Sequence, residues 1–267
     1  MGDTLALYGH LIAARIRAQL QYRGSFVLET VGHAVVTFLD FVVILVLFAN
    51  VPRLATWSQP EIALLYGISA LAFAITDLMV GQLDWLSNWV RDGTFDQMLL
   101  RPRGTLFQIV SSDFQLRRLG KAAQGLVVLV YALSVLPIEW TPLRALLLVA
   151  TIPVSAVIFI SIWVFTICIV FWTVDGKEVA NAFSYGGQFF AQFPMNIYDR
   201  WLRRFLGYLV PIAFISYFPA LYILGKPDPL GLPAALQFAG PLVALVAALA
   251  AGRMWRVAVR HYQSAGG

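Results

Sequence analysis

The stretch IYDRWLRRFLGYLVPIAFISYFPALYIL, residues 197–224, is amphipathic in its first half and almost wholly apolar in its second. A helix of roughly 20 apolar residues crosses about 30 Å of hydrocarbon, so residues 205–224 are long enough to be a span. Pro211 and Pro219 interrupt them, and proline inside a helix removes a backbone donor and clashes with the preceding turn. Two short helices that dip into a membrane and return fit the pattern better. Irregular backbone at that depth has to be buried against protein or line a wet cavity.

The rest of the chain supports a membrane reading. Of its 267 residues, 60% are hydrophobic and only 12% charged, against roughly 25% charged in soluble domains. Mean hydropathy is +0.75. Six apolar segments are long enough for spans: 26–49, 62–86, 119–137, 143–172, 179–196 and 233–256. Lys121 lies inside the third and is expected to snorkel to the surface. Pro153 predicts a kink or tilt in the fourth. The chain reads as one all-α integral membrane domain, residues 1–267, without internal repeats or linkers. Before the first span, Leu5, Tyr8, Ile12 and Ile16 share one stripe, with His10 and Arg17 away from it. Residues 3–23 therefore read as an amphipathic helix lying in the membrane interface, without the layout of a cleavable signal peptide.

Charge placement sets the orientation. The net charge is +5, but Lys and Arg cluster at the ends of apolar segments, which excludes nucleic acid as the partner. With six spans and both termini in the cytoplasm, thirteen of the nineteen Lys and Arg lie inside. A seventh span at 205–224 would strand Arg253, Arg256 and Arg260 outside. Seven of the eight tryptophans fall near predicted span ends, as interfacial belts require, and only Trp163 is central.

Signatures of covalent chemistry are missing from the sequence. It has no G-x-x-x-x-G-K-[ST] phosphate loop. Its three histidines are far apart and its one cysteine, Cys168, sits in an apolar run, so no metal site is expected. Asp175 and Glu178 are a thin basis for a membrane enzyme acting on lipids. Gly186 and Gly187 read as close helix packing, and so do Ala244, Ala248 and Gly252, spaced every four residues. Two acids lie deep in predicted spans, Asp40 and Asp77, with no Lys or Arg well inside a span to neutralise them. Intramembrane acids mark a functional site by default. They either face a translocation path and attract a cationic amphiphile, or hydrogen-bond neighbouring helices near Thr37 and Thr76. A carrier driven by protons through the same two acids is the rival transport reading.

Between the second and third spans lies VRDGTFDQMLLRPRG, residues 90–104. Arg91, Asp92 and Gly93 signal a turn, Thr94 is placed to cap a short helix, and Pro102 ends it at Arg101. Phe95, Met98 and Leu99 share one face, flanked by Arg91, Asp96 and Arg101. A short helix with an apolar face, held in water, suits a partner's groove. The alternative is a solvated loop that only orients the protein.

GTFDQMLLRP, the block FPMNIYDRWLRRFLGYLVPIAFISYFPALYILG and the closing RHYQSAG resemble the ABC-2 type permeases. The branch most similar is the six-span one that often occurs as two different permeases with one type of ATPase. The resemblance implies six spans, an interfacial helix at 3–23, a coupling helix at 93–101 that docks an ATPase, and a re-entrant helical pair at 197–224. It accommodates Arg200, Arg203 and Arg204 on the extracellular side. It further implies a multi-pass protein of the plasma (inner) membrane that works as an exporter subunit, with membrane lipids around it. The partners would be a cytoplasmic ATPase, which binds the ATP and Mg, and a second permease, paralogous or identical. The expected cargo is an amphipathic drug, antibiotic or lipid-like molecule, with cations among the candidates.

Overall fold

The computed structural model describes residues 23–112, 115, 118–173 and 176–263. The expected interfacial helix at 3–23, but for its last residue, lies outside the described residues, as does Asp175. Twelve α-helices follow in order. They are α1 (Arg23–Asn50), α2 (Gln59–Val80), α3 (Leu86–Arg91), α4 (Thr94–Leu99), α5 (Thr105–Ser112) and α6 (Leu119–Val135), then α7 (Pro142–Ile167), α8 (Val170–Thr173), α9 (Lys177–Ala191), α10 (Arg200–Arg204), α11 (Tyr217–Leu224) and α12 (Gly240–His261). Among the described residues there is no strand, only an isolated bridge between Leu54 and Trp57.

Among the described residues four helical stretches are long and apolar enough to cross a membrane, Val27–Asn50, Gln59–Arg91, Pro142–Thr173 and Gly240–His261, or five if the bent pair at 200–224 is one broken span. The second joins α2 to α3 through a 3-10 turn, Gly81–Trp85, and the third joins α7 to α8. The expected third span is α6, only 17 residues long, or about 26 Å of helix. The expected fifth is α9, 15 residues, which begins on Lys177 and Glu178 and carries Asn181, Ser184 and Gln188. These two fall short of the length that the sequence reading gave them.

Residues 200–224 form a bent pair. Arg200–Leu209 and Ile212–Leu224 meet at 68°. The break falls at Val210–Pro211, where the ring of Pro211 disfavours helix at the residue before it. Beyond the break, the second limb is hydrogen-bonded to its neighbours. Ser155 of α7 donates to the carbonyl of Ile215 (2.6 Å), and Ser216 donates to that of Ala191 at the end of α9. The second limb is buried through Ile212–Leu221, whereas the first limb exposes most of its side chains.

The core forms around α2. In the most apolar windows, 78% of the α2–α3 stretch and 67% of the α7–α8 stretch are buried, against 18% for α1 and 22% for α12. Lipid offers no hydrophobic drive between helices, so small residues and hydrogen bonds hold them together. A Cβ on Gly67 would sit 2.7 Å from the Leu129 Cα, and one on Gly125 would sit 2.9 Å from the Leu71 nitrogen, so α2 and α6 cross almost backbone to backbone. Tyr66 donates to the Thr37 carbonyl of α1 (3.2 Å) and accepts from Gln124 of α6 (3.1 Å). Ser69 donates to the Gln188 carbonyl of α9 (3.3 Å), and Thr76 to the Ala156 carbonyl of α7 (3.1 Å). Four neighbouring helices are thus hydrogen-bonded to one.

Within the chain, only Ala244 of the small-residue stripe of α12 is buried, which leaves a second permease as the other neighbour the spacing allows. The inward stripe of α12 is Ala244, Ala251, Trp255 and Ala258, while Ala248 is exposed and a Cβ on Gly252 would meet nothing within 4 Å. Gly187 does pack closely, its Cβ position 3.4 Å from Ile212 in the second limb of the bent pair, but Gly186 faces open space. The tryptophan reading is corrected at two places. Trp57 and Trp255 are buried, whereas Trp85, Trp140, Trp172 and Trp201 are exposed as belt residues should be.

Candidate functional site

Two features meet at the end of the bundle where α2 finishes. The first is α4. Gly93, at φ 70°, makes the turn that starts it, a left-handed conformation that glycine adopts without strain. Thr94 is the first helical residue rather than the cap, and the helix stops at Leu99. Phe95 and Met98, expected to face a partner, point into the chain instead. Phe95 is 0% exposed. Its ring lies 5.0 Å from Phe171 of α8 and 4.9 Å from Tyr262, just past α12. Phe171 lies 5.5 Å from Trp255, whose indole N–H donates to the Thr105 hydroxyl of α5 (3.2 Å). Gln108 of α5 donates to the Met98 and Arg103 carbonyls, both at 2.8 Å.

The exposed side of α4 carries Gln97 and Leu99, with Leu100 and Arg101 after it. Leu99 is 43% and Leu100 87% exposed. Arg91 and Arg101 are exposed and Asp96 is half-buried. The reversal has a simple cause. The 3.6-residue period identifies an apolar stripe but not what fills it, and here Phe171 and Tyr262 of the same chain fill it. Two blocks remote in sequence, GTFDQMLL and RHYQ, therefore touch in space.

The second feature is a buried charge cluster. Asp77 is 2% exposed. The Nζ of Lys121 lies 2.8 Å from Asp77 Oδ2, and an Arg118 guanidinium nitrogen lies 3.0 Å from Oδ1. Arg118 also donates to the Asp77 carbonyl. Gly81 leaves the room for this, since a Cβ there would strike both Arg118 and the Asp77 carboxylate. Nearby, Tyr185 of α9 donates to Asp84 Oδ2 (3.1 Å), and Lys121 sits 6.0 Å from the Tyr185 ring centroid. Lys121 thus turns inward to an acid instead of snorkelling out, and Asp77 is neutralised after all. Asp40 differs. It is on the exposed face of α1, beside the exposed Val36, Leu39 and Val43. Thr76 bonds to the Ala72 and Ala156 carbonyls, not to Asp77.

The opposite end of the bundle is tied separately. Lys226, after α11, reaches Glu61 of α2 (2.8 Å) and the Thr56 carbonyl (2.9 Å), and lies 4.8 Å from the Trp57 ring centroid. Tyr217 donates to Asp228 Oδ1 (2.7 Å), which also accepts from the Leu230 backbone (3.0 Å). Among the described residues no group of three or more His, Cys, Asp or Glu could hold a metal ion.

A bundle of long apolar helices around a hydrogen-bonded hub, with a short amphipathic helix at one end, defines a multi-pass membrane protein by helix length and composition. A family model described as "ABC-2 family transporter protein" matches residues 34–266, and the chain belongs to that family. Membership makes it a transporter membrane component, of a kind typically non-catalytic and generally served by an ATPase. Comparisons with curated proteins and with solved structures returned no match.

Proposed function

We propose that the chain is the membrane subunit of an ATP-driven exporter whose ATPase docks on the outward edge of α4. The observation that carries this reading is the division of labour in a six-residue helix. Phe95 anchors it to α8 and to the end of α12, while Leu99 and Leu100 stand in water between Arg91 and Arg101. An anchored helix with an exposed apolar edge transmits a push. A push at Leu99 and Leu100 travels through Phe95 to Phe171, Trp255 and Tyr262, and so into α7 and α12. ATP then biases a two-state bundle through its partner.

In this reading α6 and α9 also cross, which makes six crossings with both termini cytoplasmic and α4 on the cytoplasmic side. The bent pair lies at the other face. A second membrane subunit packs on the sparsely buried α1, and Asp40 lines the path between them for an amphipathic drug, antibiotic or lipid-like cargo. An acid pointing into lipid would be costly, which favours that placement for Asp40. Asp77, held by Arg118 and Lys121, suits a structural post. That pairing also weakens the proton-driven alternative, which needs both acids free to titrate.

Leu99→Asp with Leu100→Asp tests the docking. The double variant should keep its gel-filtration profile, because both side chains are exposed, and lose co-purification of the ATPase. ATPase binding at the wild-type level would refute the assignment.

A further inference from the structure

We propose that the limb Arg200–Leu209 is a binding surface for the headgroups of anionic phospholipids, in the leaflet at the end of the bundle where α2 begins. The inference does not rest on the exporter reading. Three arginines fall within five residues of α10. Arg200 and Arg204 are exposed, and Arg203 is half-buried beside them. Among the described residues none of the three is ion-paired with Asp or Glu. Of the other cations of that end, Lys226 holds Glu61 at 2.8 Å and Arg144 donates to the Glu139 carbonyl at 2.6 Å, while Arg53 is exposed in the loop before α2. The arginine trio is a dense cluster of positive charge without an ion pair among the described residues.

The same face carries the groups that an interface wants. Trp201 is 68% and Leu209 73% exposed, with Phe205 and Tyr208 partly exposed between them. The opposite side, Leu206 and Gly207, is buried. Guanidinium forks match phosphate oxygens two at a time. Tryptophan settles at headgroup level, and Leu209 reaches the hydrocarbon below. A soluble acidic peptide would satisfy the arginines but leave Leu209 and Phe205 in water, so the combination selects a lipid.

The test uses the purified full chain with spin-labelled phosphatidylglycerol or phosphatidylcholine in a phosphatidylcholine background. The wild type should prefer phosphatidylglycerol. In Arg200→Gln/Arg204→Gln that preference should fall by roughly 30-fold, from about fivefold per surface arginine. The control Arg253→Gln/Arg256→Gln, at the other end, should leave this share of the preference in place. An unchanged preference in the Arg200/Arg204 variant overturns the proposal. So does displacement of the lipid by millimolar inorganic phosphate or by a poly-glutamate peptide, since either would mark a general anion site. ATPase co-purification should be normal in the variant, which separates this outcome from failure of the docking proposal.

Discussion

A carboxylate out of water keeps its charge only when cations come to it, and Asp77 has two. Removing one partner of such a set leaves a buried charge uncompensated, at on the order of 3–5 kcal/mol. Asp77→Asn should therefore lower the unfolding temperature sharply, and Asp77→Asn with Lys121→Met should recover part of the loss. Asp40→Asn should leave the unfolding temperature unchanged and reduce export of cationic amphiphiles more than of neutral ones. Equal stability loss in the two single variants, read by thermal unfolding in detergent, would contradict the distinction. The sequence revealed both acids, because an acid inside an apolar run is conspicuous. It did not reveal their different fates. Arg118 and Lys121 lie some forty residues downstream of Asp77, and only the packing of α6 on α2 brings them to it.

At the scale of the element, helix crossings depend on what is absent. A Cβ on Gly67 would fall on the Leu129 backbone, which cannot rotate away as a side chain would. Gly67→Ala should cost about 1–3 kcal/mol by overpacking. Gly186→Ala, facing open space, should cost nothing measurable in the same thermal assay. Elements punctuated by Pro and Gly were legible in advance. The bent pair at 200–224 and the short helix at 94–99 both follow from where Pro211, Gly93 and Pro102 stand. The face that α4 turns outward was not legible. Phe95 and Met98 look like a docking stripe until Phe171 and Tyr262 are known to cover them. The stripe of α12 was legible only as spacing, since spacing names candidates and neighbours choose among them.

At the scale of the whole molecule, topology is the property to check. With α4 cytoplasmic and the bent pair on the other face, Leu100→Cys and Pro227→Cys should react with a membrane-impermeant maleimide from opposite sides. Both positions are exposed, and the native Cys168, buried at 0% exposure, should stay silent. Labelling of both from one side would break the six-crossing arrangement. Helix class and membrane placement were readable from composition because they depend on bulk apolarity. The number of crossings was not, because α6 and α9 fold as helices of only 17 and 15 residues, shorter than the apolar segments that suggested them.

Lys226 holds together three parts of the fold at once: the start of α2, the loop before it and the chain leaving α11. Any movement that parts α2 from the returning limb must surrender an ion pair and a cation–ring contact in the same instant. Such a clasp parts all at once rather than by degrees, and dissolved ions, by competing for the lysine and glutamate, would loosen it while leaving the aromatic joint at the far end untouched.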